Sequence, residues 1–366
     1  MMAARKNVVV GLDIGSHSIK LVEIAYTRKG IELKNAGLIG LPPDAIVEGS
    51  IKNPEIISSS IKRLFTNLKI KQKNVAASIS GYSVIIKKIS VAKKDEMELE
   101  STIYNEAEQY IPFDINEVHL DFDILVPSND TRVEGERGEA EEESDHLEVM
   151  LVAAKRDLVN AYKNLIKNAG LNPGVLDVDS FALQNAIEMS VTEEERDKGT
   201  CVLINVGAEE LGINMVDNGI PLFTRDSGFG GGQITKAIMS TLKIPYEEAE
   251  NIKLGGVVAE KQLALLEKIF VSTVSEWVQE IKRAIDFLAG TYPYKTISKL
   301  IVSGGSCRIP GFQRHLQNET GVRVEQFNPF RNLKVNEKKM DMEYLNYIAP
   351  QAAVAAGLAL RSIGDK

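Results

Sequence analysis

The chain is poor in cysteine and histidine and has no long apolar run. Cys201 and Cys307 are its only thiols; they form no CxxC pair and are too few for a disulfide scaffold, so the sequence reads as one for a reducing compartment with both thiols buried. Four scattered histidines, His17, His119, His146 and His315, build no HExxH motif, and no GxSxG elbow occurs, which removes the common zinc and serine hydrolases. The longest apolar candidate, residues 349–360, is alanine-rich and interrupted by Pro350 and Gln351, short of the ~20 residues that cross a bilayer. Arg5 and Lys6 are followed by only three valines, too short a core for a secretory signal, so export is not expected. The formal charge of -8, with no dense basic block, argues against nucleic acid as the partner. A Walker A loop is absent, and no GxGxxG sits between an opening strand and a helix as a dinucleotide fold requires.

What is present is ample core material. Hydrophobic residues make up 44% of the 366 positions and charged residues 26%, which suits two domains or one duplicated unit. Residues 7–24 and 200–216 share one layout, a β-branched strand, a glycine turn and a second strand, about half the chain apart. That spacing suggests duplication. Helical periodicity marks residues 54–68, 95–110, 156–169 and 181–189, then 232–242, 246–254 and 261–288, with a closing helix over 350–362. Strands are expected at 74–80, 84–91, 118–126, 147–153, 175–178 and 299–303. Between two of them runs an acidic stretch containing Glu134, Glu136, Glu139, Glu141, Glu142 and Glu143, either a solvated loop or a charged docking surface.

Three turns carry candidate chemistry. The first, Asp13, Ile14, Gly15, Ser16, His17, Ser18, Ile19, Lys20, offers what a phosphate needs: a glycine for close approach, hydroxyl donors, a cation, and a carboxylate able to hold magnesium through water. The second, Asn205, Val206, Gly207, Ala208, Glu209, Glu210, could grip the same phosphates from the other side. The third follows a strand into Gly304, Gly305 and Ser306, suited to flat contact with a base or ribose. Gly228–Gly232 precedes a helix whose free amides would favour an anion. Glu250 and Lys253, three apart on one helix, either hold an adenosine or form an ordinary surface ion pair.

In this order the turns resemble the actin, Hsp70 and sugar-kinase superfamily. Within it, GLDIGSHSIKLVEI, AEQYIPFDINEVHLDFDIL, GGGQITKAIMSTLKIPYEEAENIKLG, IVSGGSCRIPGF and APQAAVAAGLALR together resemble the PilM family of type IV pilus assembly components, with the cell-division family FtsA nearest to it. The resemblance implies an α/β, actin-like ATPase fold of two duplicated lobes: residues 1–82, 154–190 and 345–366 as subdomain 1A, an inserted subdomain 1C over 83–153, 2A over 198–228 and 296–344, and 2B over 229–295. It implies ATP and magnesium in the interlobe cleft. Asp13 would lie near the metal, with Gly15, Ser16, His17, Ser18 and Lys20 around the β- and γ-phosphates and Gly207 and Ala208 opposite. Gly230, Gly231, Glu250, Lys253, Gly304, Gly305 and Ser306 would surround the nucleoside.

Asn205 stands where many superfamily members carry an aspartate that helps position magnesium, so binding is expected to outlast hydrolysis. Asp179 matches a water-positioning residue, although a helix N-cap role for Asp179 or Ser180 explains it as well. The family further implies a partner, the N-terminal cytoplasmic segment of PilN, in a groove between the main and inserted subdomains of the first lobe. Contact with the membrane, the pilus platform and its motor components would then run through proteins, with oligomerisation left open. An FtsA-like polymer or a small-molecule kinase of the same fold are the competing readings.

Overall fold

The computed structural model describes residues 9–28, 30–47, 49–93, 96–125, 146–191 and 199–365; the acidic run from Glu134 to Glu143 and the basic pair Arg5 and Lys6 lie outside them. Strand β1 (Val10–Ile14), buried at every position, pairs antiparallel with β2 (Ser18–Thr27), which pairs with β3 (Gly30–Gly40). A small hairpin, β4 (Ile46–Val47) and β5 (Ser50–Ile51), leads to α1 (Pro54–Asn67). Pro54 opens α1, where its missing N–H costs nothing, and Ile57, Ile61, Leu64 and Phe65 bury one helical stripe while Ile56 stays exposed. The chain returns along β6 (Asn74–Ile79), parallel to β1.

A separate unit then forms from β7 (Val84–Ala92), α2 (Glu96–Tyr110), β8 (Val118–Ile124) and β9 (His146–Lys155), with β9 in the middle of a three-stranded antiparallel sheet. Its core is its own: Ile89, Leu99, Ile103, Ala107 and Leu151 pack together. Helix α3 (Arg156–Asn168) leads back to β10 (Asn172–Val178), parallel to β6, and α4 (Asp179–Ser190) leaves for the second half.

There β11 (Thr200–Val206), β12 (Leu211–Asp217) and β13 (Ile220–Ser227) repeat the meander. Helices α5 (Gly231–Leu242), α6 (Tyr246–Lys253) and α7 (Glu260–Thr291) precede β14 (Ile297–Ser303), which returns parallel to β11. Helix α8 (Phe312–Thr320), β15 (Val324–Gln326), α9 (Met342–Ile348) and α10 (Ala353–Leu358) complete the chain. The two large sheets have orders β10-β6-β1-β2-β3 and β15-β14-β11-β12-β13, strand for strand the same topology, as the paired hairpins suggested.

The closing helix is shorter than its periodicity predicts. Residues Ala349–Ala352 form a 3-10 turn around Pro350, and α10 spans six residues. Tertiary packing sets its length. A Cβ on Gly11 would lie 2.0 Å from the Ala355 carbonyl oxygen and one on Gly357 1.6 Å from that of Ala182, so α10 is wedged backbone to backbone between β1 and α4 and ends where that wedge ends. The core around it takes residues of both lobes, Val22 and Ala182 beside Leu203, Ile301 and Phe327.

Candidate functional site: the cleft between the lobes

In both sheets the parallel strands end toward one cleft of about 1160 Å³. Its first wall is the β1–β2 turn. Gly15 donates its N–H to the Ser18 carbonyl at 3.2 Å, and the register pairs Asp13 with Lys20, whose side chains meet at 3.2 Å. The lysine therefore returns over the turn, and a Cβ on Gly15 would lie 2.8 Å from its Nζ. Ser16, His17 and Ser18 line the same wall. His17 reaches across the cleft: its Nδ1 is 2.7 Å from the Tyr246 hydroxyl at the start of α6. Burial, with Lys253 and Lys20 nearby, holds the imidazole below its ordinary range despite the opposing charge of Glu250, so at neutral pH it acts as a neutral hydrogen-bonding group.

The second wall is built by backbone. Gly207 and Ala208 in the β11–β12 turn accept the N–H groups of Gly231 and Gly232 at 3.0 and 2.7 Å, and Gly230 donates to Gln233 Oε1 at 3.2 Å. The amides at the start of α5, expected to be free for an anion, are thus occupied by the protein itself. What Gly230 and Gly231 supply is lack of bulk: a Cβ on Gly230 would lie 2.4 Å from the Ala208 carbonyl oxygen, and one on Gly231 2.2 Å from Ser306 Oγ. The third turn locks onto the second. Ser306 donates its hydroxyl to the Gly207 carbonyl at 2.7 Å, Ser303 bonds Asn205 Oδ1 at 3.3 Å, and Gly304, at φ 87°, leaves no room beside Val206.

Glu250 and Lys253 are not a surface pair. Lys253 is 4% exposed and donates to Glu250 Oε1 at 2.6 Å and to Thr235 Oγ1 at 3.0 Å, while the Thr235 hydroxyl also bonds Glu250. Asp179 is no N-cap either. It begins α4 as its first residue behind Val178, with no side-chain capping bond, and its carboxyl faces the cleft. Burial, then the neighbouring charges of Asp13 and Asp226, push it up to about 7.

Sequence reasoning gave no role to two partners of this group, although Glu210 stood in the second turn it singled out. Glu210, at the end of the second turn, is raised well above the usual carboxylate range by burial and by Asp226 and Asp179. Asp226, at the end of β13, is raised by burial although it accepts the Gly81 N–H at 2.9 Å. With Asp13 they place four carboxyl groups, two from each lobe, around one end of the cleft. The β12–β13 register, which sets Asp226 opposite Gly212, belongs to the folded sheet and left no signal along the chain.

Apart from Ile19 and Val206, which are buried in the cores of the two lobes, the residues singled out in the three turns line this cleft with Glu250, Lys253 and Asp179, and Gly231 packs directly behind it against Ser306. A family model describing type IV pilus assembly protein PilM matches residues 11–363. The chain belongs to the PilM family. A solved PilM-PilN type IV pilus biogenesis complex is 29% identical, covers 99% of this chain and 100% of that one, and superposes with a TM-score of 0.83. More distantly, the cell division protein FtsA of Enterococcus hirae is 22% identical over 89% of this chain and 79% of its own length. MreB5 of Spiroplasma citri bound to ADP shares 12% identity and a TM-score of 0.50 over 97% and 95% of the two chains. The PilM architecture here is thus the actin-like ATPase fold, and among the described residues no helix is long and apolar enough to cross a membrane.

Proposed function

We propose that this PilM-family chain is a nucleotide-dependent adaptor of the type IV pilus assembly platform that docks the N-terminal cytoplasmic segment of PilN. The observation that carries the reading is the end-to-end likeness to the PilM-PilN complex, which includes the three-stranded unit inserted between β6 and α3. Subdomain 1A then comprises 1–82, 154–190 and 345–366, 1C comprises 83–153, 2A comprises 198–228 and 296–344, and 2B comprises 229–295. The partner's membrane anchorage would hold the chain peripherally at the inner membrane.

ATP with magnesium is the ligand the cleft suits. Four carboxyl groups at one end repel a triphosphate unless a cation or protons intervene. Magnesium keeps most of its waters and takes few protein ligands, which fits Asp13 as a holder through water. Bound there, the metal would neutralise phosphate charge. Lys20, Ser16 and Ser18 would bind the phosphates from the first lobe, with the Gly207–Ala208 backbone facing them. The Glu250–Lys253–Thr235 network and the Gly304–Ser306 turn would hold the nucleoside. Asn205, where many superfamily members carry an aspartate, keeps hydrogen-bonding ability but lacks the charge that orders metal and water, in keeping with weak or absent hydrolysis.

Calorimetry with a peptide of the PilN N-terminal type, with and without ATP and magnesium, tests the proposal. Binding at about 1:1 is expected; a chain that binds ATP yet ignores the peptide would not be this adaptor.

A further inference from the structure

At the far end of the first lobe lies a second cavity, of about 430 Å³, within the range of small-ligand sites. Phe65, Ile70, Ala169 and Leu171 floor it, all buried, and Lys62, Lys69 and Lys73 stand at its rim. It opens between the C-terminal ends of α1 and α3. Lys73 and Leu171 precede β6 and β10, whereas the interlobe cleft takes residues that follow these strands. A strand of six or seven residues is ~20 Å long, so the two openings are separate.

The charge around this cavity is one-sided. Residues 56–73, which supply most of its lining, contain five lysines and arginines and no aspartate or glutamate, in a chain of net charge -8. Among the described residues no carboxylate pairs with Lys62, Lys69 or Lys73. Two helix C-termini draw cations, and the plain reading is that these lysines only offset them. Each terminus is worth about half a negative charge, however, so three ammonium groups leave roughly two positive charges over. The backbone cannot supply donors instead: the N–H groups of Lys69, Ile70, Gly170 and Leu171 are bonded to Thr66, Phe65, Lys167 and Ile166 carbonyls. Lys69 also holds φ at 55°, the left-handed position that Gly170 fills at the neighbouring end of α3 and that glycine fills more cheaply.

We propose that this cavity binds a phosphate-bearing anion through Lys62, Lys69 and Lys73. The apolar floor below the rim suits a ligand whose phosphate is attached to a less polar body. A phospholipid headgroup and a soluble phosphate share this chemistry, and the experiment separates them.

The intact chain and its Lys62→Gln, Lys69→Gln, Lys73→Gln triple variant are floated with vesicles of phosphatidylcholine alone or with phosphatidylglycerol added, and both are titrated calorimetrically with inorganic phosphate. Thermal unfolding shows that the variant is folded. If the source is lipid, the chain floats only with phosphatidylglycerol, and the variant loses about fivefold per lysine, roughly a hundredfold in all. If the source is soluble, inorganic phosphate gives heat that the variant lacks and neither vesicle binds. Binding equal in chain and variant, or absent with all probes, overturns the proposal. A single lysine restored to the variant recovers part of the binding.

Discussion

His17 Nδ1 and the Tyr246 hydroxyl, 2.7 Å apart, form a hydrogen bond between the first turn of one lobe and the first residue of α6 in the other. Removing it frees both. Tyr246→Phe leaves His17 without a partner, and a bond of this kind is worth about 1 kcal/mol net. Hydrogen exchange at Gly15, Ser16 and His17 should rise roughly fivefold. Unchanged protection there would show that the lobes are held without this contact.

The cleft carboxyl groups set a pH dependence. Asp179 is raised to about 7, and Glu210 and Asp226 are raised as well, so between about pH 4 and pH 7 these groups hold more protons in the folded chain than in the unfolded one. Their contribution to stability therefore falls as pH rises through that window, opposed by His17, whose imidazole is held below its ordinary range. Asp179→Asn, which mimics the protonated acid, should flatten the decline and stabilise the chain at pH 8 by a few kcal/mol, while changing little at pH 4. Urea denaturation at both pH values measures this; a variant equally stable or weaker at pH 8 would contradict the assignment.

Glu250→Ala strands Lys253 in the interior, where its only other described acceptor is Thr235. Breaking a buried pair by removing one partner costs about 3–5 kcal/mol. Replacing Lys253 by Met together with Glu250→Ala should recover part of that loss, because no uncompensated charge remains. Equilibrium unfolding of the single and double variants separates the two outcomes.

Gly357→Ala should destabilise more than any exposed alanine substitution, by upwards of about 2 kcal/mol. Its Cβ would meet the Ala182 carbonyl at 1.6 Å, and backbone on both sides must shift. Gly290→Ala in α7, where nothing lies within 4 Å, is the control and should be neutral or stabilising. A melting temperature unchanged by Gly357→Ala would mean that α10 can move aside.

Asp13→Ala should weaken ATP-magnesium binding at least tenfold while leaving any magnesium-free nucleotide binding closer to the parent value. Titration with and without the metal distinguishes a metal-linked role from a structural one through the Lys20 pair.

Both phosphate-type hairpins were legible because a strand buried at every position leaves an unbroken apolar run, as in Val10–Ile14, and a glycine turn marks its end. Their shared layout, half the chain apart, carried the duplication. Glu210 and Asp226 were not legible, since their acidity matters only once β12 and β13 pair and the lobes close on Gly81. Helical periodicity overran α10 because alanine propensity says nothing of the wedge at Gly11 and Gly357. The amides of Gly231 and Gly232 looked available for the same reason: their acceptors lie more than twenty residues earlier. Along the chain, lysines 62, 69 and 73 looked diluted; what sets them apart is the acid missing around them.

The seating of α10 against β1 and α4 also has a bearing on synthesis. The first lobe's sheet is translated early, yet the layer that covers Val22 and Ala76 includes residues 353–359. At 5–20 residues per second, roughly 20–70 s separate β1 from its cover. During that interval part of the nascent lobe's apolar face lacks the cover that the finished fold gives it.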